Sequence, residues 1–91
     1  MITNSTIESG TKYVTGGISL VLSNTTINNC QVVEISVGYN GISGQVVNIS
    51  GGSITLKLTQ MVTESNNKTT IQELADGTDI SGMIIVFSID F

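Results

Sequence analysis

The stretch Gly82-Met83-Ile84-Ile85-Val86-Phe87-Ser88-Ile89-Asp90-Phe91 decides the fold class. Met83, Ile85, Phe87, Ile89 and Phe91 occupy alternate positions, while Ile84, Val86, Ser88 and Asp90 between them turn polar toward the end. In a strand successive side chains point to opposite faces, so a period of two predicts a β-strand that buries its odd positions. The same alternation recurs upstream. Ile18, Leu20 and Leu22 mark one face, and Val33, Ile35, Val37 and Tyr39 mark the next, opposite Val32, Glu34 and Ser36. Val47 and Ile49 follow, and then Ile54, Leu56 and Leu58 alternate with Thr55, Lys57 and Thr59.

Turn chemistry separates these runs. Gly16-Gly17 precedes the first strong strand, and Tyr39-Asn40-Gly41 carries an Asn-Gly pair, whose residues tolerate the left-handed backbone of a tight hairpin. Ser50-Gly51-Gly52-Ser53 predicts a second hairpin, and Ser65-Asn66-Asn67-Lys68 and Ala75-Asp76-Gly77 predict two further loops. Between them, Thr70 and Glu73 have the spacing of a helical capping box, but seven residues starting Thr69-Thr70-Ile71 favour a strand through their β-branching.

Together these signals predict one all-β domain over residues 1–91, a small antiparallel β-sandwich or jelly-roll-like barrel of about six to eight strands. The alternative is a short β-solenoid. Asn4-Ser5-Thr6-Ile7-Glu8-Ser9-Gly10 and Asn24-Thr25-Thr26-Ile27-Asn28-Asn29-Cys30 resemble each other, and Asn48-Ile49-Ser50-Gly51 adds a partial third copy. The second half of the chain abandons this pattern for plain hairpins.

Composition bears on function. The 91 residues include no His, no Trp, no Pro and one Cys, with three Lys+Arg against seven Asp+Glu. Lys12, Lys57 and Lys68 are scattered, whereas nucleic acid and anionic membranes demand clustered cations, so neither partner is expected. No cofactor site is expected, and no catalytic or metal-binding residues are assigned. Cys30 has no second Cys to pair with and no His to activate it, and reads as a small hydrophobe. The acidic turn Asp76-Gly77-Thr78-Asp79, with Glu73 before it, lacks the ligand spacing of a calcium loop and reads as a solvated turn. Gly38, Gly41 and Gly44 are followed by no helix to receive a phosphate, which leaves a turn. Asn4, Asn24, Asn48 and Asn67 match the glycosylation acceptor pattern, as Ser/Thr/Asn-rich chains do by chance. Tyr13 and Tyr39 are the candidates for stacking on a sugar, although Tyr39 shares its phase with core positions.

The central stretch Gly44-Gln45-Val46-Val47-Asn48-Ile49-Ser50-Gly51-Gly52-Ser53-Ile54-Thr55-Leu56 resembles hairpins in small β-domains of tailed-phage virions, such as head-decoration proteins, head fibres and tail-fibre modules. Residues 32–39 and 82–91 fit the same plan. The resemblance implies a structural subunit attached to a capsid or tail, as a trimer or another symmetric oligomer, with capsid or tail proteins and its own copies as partners. The lack of catalytic residues makes the expected role non-catalytic, and the unpaired Cys30 fits a chain made in the host cytoplasm. It carries over no binding residue. Small size, an aliphatic core and strand edges unprotected by Pro or charge also lead to an expectation of homo-oligomerisation. Residues 1–6 and 88–91, the latter ending in the large apolar Phe91, are the expected contacts. The rival expectation is a carbohydrate-binding or adhesin module.

Overall fold

A computed structural model describes residues 1–36 and 41–91. It shows seven strands among them: β1 (Ile2–Thr6), β2 (Ile18–Val21), β3 (Asn29–Ile35), β4 (Ile42–Ser50), β5 (Ser53–Thr63), β6 (Thr69–Glu73) and β7 (Ile84–Asp90). They form two antiparallel sheets. The first has the order β1-β7-β3; the second has the order β2-β5-β4, with β6 also pairing β5. The long strand β5 shares one edge between two partners: β2 takes Ser53 to Leu56, and β6 takes Thr59 to Thr63.

The sheets sandwich an aliphatic core. Cys30, Ile85, Phe87 and Ile89 enter it from the first sheet, and Ile18, Ile54, Leu56 and Leu58 from the second. Ile7, Tyr13, Ile27, Leu74, Ile80 and Met83 close its margins from the connections. The period-two reading therefore holds in β5 and β7, where the predicted odd–even division matches burial residue by residue up to Ile89. Phe91 departs from it and stays 41% exposed.

Two strands depart from the predicted phase, for one reason. A β-bulge between Val32 and Glu34 inserts Val33 as an extra residue, so Cys30, Val32 and Ile35 face Ile89, Phe87 and Ile85. Val33, predicted on the core face, is 58% exposed. A second bulge, between Val46 and Asn48, does the same in β4: Val46 and Ile49 pack on the core while Val47 is 46% exposed. Each bulge shifts the alternation by one residue, which a uniform period cannot register.

The barrel and solenoid alternatives are both corrected. The strands form two separate sheets rather than one closed one, and every pairing among the described residues is antiparallel, whereas stacked solenoid coils pair in parallel. The repeat-like segments adopt different structures: Asn4 lies in β1, Asn24 to Thr26 in an irregular connection, and Asn48 in β4. The predicted strand at Thr69 is observed, as β6. The Ser50–Ser53 hairpin is also as predicted, and Gly51 takes its left-handed position at φ 59°. The predicted turn at Tyr39-Asn40-Gly41 lies largely outside the described residues, as do Gly38 and Tyr39.

Candidate functional site

A dense polar cluster joins the β1–β2 and β6–β7 connections at one margin of the sandwich. These connections run antiparallel and are stitched by backbone bonds, from Ile7 N–H to Met83 O (2.8 Å), Ile80 N–H to Thr11 O (3.1 Å), Tyr13 N–H to Thr78 O (2.8 Å) and Gly77 N–H to Tyr13 O (2.7 Å). The acidic residues of the region act as staples on this seam. Glu73 Oε2 accepts from the Tyr13 hydroxyl at 2.6 Å and from Gly16 N–H at 2.7 Å. Asp76 Oδ1 accepts from Thr15 N–H at 3.0 Å, and Asp79 Oδ1 from Ser81 N–H at 3.0 Å. Lys12 lies 3.6 Å from Asp79, both side chains being largely in solvent.

These bonds set the charge state of the cluster. The donated hydrogen bonds from Tyr13 and Gly16 hold Glu73 below the usual carboxylate range, and bonds from Ser81, with Lys12 nearby, do the same for Asp79. A general acid working near neutral pH needs its pKa raised, and these two are moved the other way. Their chemistry is that of fixed anions that accept backbone and hydroxyl donors. The Asp76-Gly77-Thr78-Asp79 turn, read as solvated from sequence, is thus also a structural clasp. Among the described residues, no three His, Cys, Asp or Glu side chains come together as a metal-binding group would require.

Tyr13 is fully buried. Its hydroxyl donates to Glu73 and accepts from Leu58 N–H at 3.3 Å, and burial together with the Glu73 carboxylate pushes its pKa up to about 12. Lys57 and Leu58 are the two residues of β5 left between the β2 and β6 pairings, and the phenol takes the Leu58 N–H at that gap in the ladder. The expectation that Tyr13 stacks on a sugar is therefore corrected: its ring has no open face. Tyr39, the other candidate, lies outside the described residues. Cys30 sits in the core, where burial raises its thiol pKa and keeps it protonated.

Two surfaces remain. Along one side of the sandwich the edge strands β1 and β2 flank a groove of about 370 Å³ lined by residues 5–8, Thr11 and residues 18–21. At one end, β5 and β6 run on as a hairpin beyond the last buried pair, Leu58 and Leu74, and the molecule measures 47 × 25 × 23 Å. Met61 and Ile71 stand directly opposite each other on this hairpin, 63% and 73% exposed. Nothing local in the sequence marks this pair, because Met61 and Ile71 lie in segments whose alternation is mostly Thr and Gln; only the register makes them neighbours.

The class defined by this architecture is a two-sheet antiparallel β-sandwich, with seven strands among the described residues. Compared with known proteins, the chain matches no family model, no curated sequence and no solved structure.

Proposed function

We propose that this chain is a structural subunit of a virus particle, of the capsid-decoration or head-fibre kind, which acts through protein–protein interfaces. The observation that carries the reading is the exposed Met61–Ile71 pair on the β5–β6 hairpin. Cross-strand apolar pairs stabilise a sheet when a second layer covers them. Here the pair lies on the outer face of the second sheet, and no part of the described chain covers it. An apolar pair displayed this way is suited to burial against another protein, at roughly 25 cal/mol per Å² of apolar area. Repetition by particle symmetry multiplies a modest contact. The resemblance of the central hairpin to tailed-phage virion domains supplies the kind of particle.

The test is the protein composition of particles purified from the source that encodes the chain, together with the neighbouring genes. Stoichiometric presence in purified particles, with capsid or portal genes adjacent, supports the reading. Absence from the particles, with the chain recovered only as free protein, overturns it.

A further inference from the structure

We infer that β1 is the self-association edge of this protein and that its partner is β1 of a second copy, paired antiparallel across a two-fold axis at Asn4. The inference deepens the assembly reading above by assigning one contact to a second copy, and it fails by a different measurement.

The hydrogen-bond alternation of β1 identifies the free groups. Met1 exchanges bonds with Ile89, and Ile7 N–H reaches Met83 O, all at 2.8 Å. In an antiparallel ladder, hydrogen-bonded pairs alternate with non-bonded ones. The odd residues of β1 thus bond to β7, and Ile2, Asn4 and Thr6 turn their N–H and C=O groups away from it, toward the open edge. No described residue pairs with that edge, since β1 ends the β1-β7-β3 order.

Apart from its shortness, the edge carries none of the features that keep strands apart. It holds no Pro, no charge and no bulge, and the facing edge β2 is equally uncharged. A two-fold pairing centred on Asn4 sets Asn4 against Asn4 and Ile2 against Thr6 in both directions. Each of these pairs exchanges two backbone hydrogen bonds, because these are the residues with outward-facing groups. Charge permits this self-pairing: no like charges oppose each other, and Glu8 of each copy falls at opposite ends of the ribbon. A five-residue ribbon alone buries less than the roughly 1,200 Å² of a stable interface. The groove between β1 and β2 opens on the same side as this edge, with Val21 of β2 mostly exposed, and supplies the further surface that a second copy would cover.

The experiment is sedimentation velocity on the full chain at about 100 µM, a concentration that populates a dimer of micromolar Kd, with Asn4→Pro and Asn4→Lys alongside. The expected wild-type mass is twice the 9.5 kDa of the chain. Pro removes the N–H that only a partner strand uses, at an edge position where the fold tolerates it. Lys places two like charges across the axis. Both variants should sediment as monomers with unchanged far-UV circular dichroism. A monomeric wild type, a three-chain mass, or dimers that survive both substitutions would each overturn the inference. Hydrogen exchange on the wild type covers the case in which a variant unfolds. The Ile2, Asn4 and Thr6 amides should be protected at high concentration and exchange freely on dilution, and protection independent of concentration refutes the pairing. None of these outcomes depends on particle composition, so the two readings fail separately.

Discussion

The Tyr13 hydroxyl donates a 2.6 Å hydrogen bond to the Glu73 carboxylate while accepting one from Leu58 N–H, and so ties three distant parts of the chain at one oxygen. The bond lies where β5 changes partner from β2 to β6, a point at which a sheet edge would otherwise expose an unpaired backbone donor. Tyr13→Phe keeps the ring and removes the oxygen. The buried Leu58 N–H then lacks its partner, which costs about 1–3 kcal/mol. Urea unfolding should show a lower midpoint with an unchanged slope.

Stability should depend on pH at both extremes. Glu73 and Asp79 have pKa values lowered in the fold from the ordinary 4.5 and 3.8. Their contribution is therefore fully present above those values and is lost as pH falls through the lower folded ones. Tyr13 moves the opposite way, from 10.0 up to about 12, so its contribution is complete below pH 10 and lost as pH rises toward 12. Denaturation midpoints measured across pH should fall on both limbs. Glu73→Gln should flatten the acid limb, and Tyr13→Phe should flatten the alkaline one.

Two glycines are required by close approach. A Cβ on Gly52 would run into the carbonyl oxygen of Ser23, where the β4–β5 turn grips the β2–β3 connection. On Gly17, at φ 128°, a Cβ would sit 2.9 Å from the Leu56 carbonyl oxygen. Gly52→Ala and Gly17→Ala should each cost more than about 2 kcal/mol, because backbone rather than a flexible side chain must yield. Gly77→Ala, strained at φ 84° but with open space around it, should cost about 1–2 kcal/mol. Thermal melts of the three variants check the ranking.

Cys30 should be inert in the native state. Its side chain lies in the core, and burial holds the thiol protonated. A disulfide-exchange reagent should label it only at the rate of unfolding in buffer, and at once in concentrated urea. Fast labelling of the folded protein would contradict the packing of β3 against β7.

How far the sequence could be read follows from where each signal resides. β5 and β7 were legible because Ile54, Leu56, Leu58, Ile85, Phe87 and Ile89 keep strict alternation over unbroken ladders. β1 carries no such signal. Its inward residues are Thr3 and Ser5, facing Phe87 and Ile85, so it has no apolar stripe to detect. Period-two alternation places Val33 and Val47 on the wrong face because a bulge is a property of two strands, and the extra residue has meaning only against its partner.

The sequence by itself determined the class of fold and the places of most turns. Alternation and glycine or Asn chemistry act over a few residues, so they can be read wherever they stand. Beyond the β4–β5 hairpin, tertiary structure alone decided which strands pair, where the phase slips, and what the polar residues are for. Tyr13 and Glu73 lie 60 positions apart in the chain, and Met1 and Ile89 lie 88 apart. Contacts of that range are selected by the closing of the two sheets around a shared core, and no local pattern records them. The Tyr13–Glu73 bond and the open edge of β1 exist only once that closure has occurred, and the Met61–Ile71 pair only once the β5–β6 register is set.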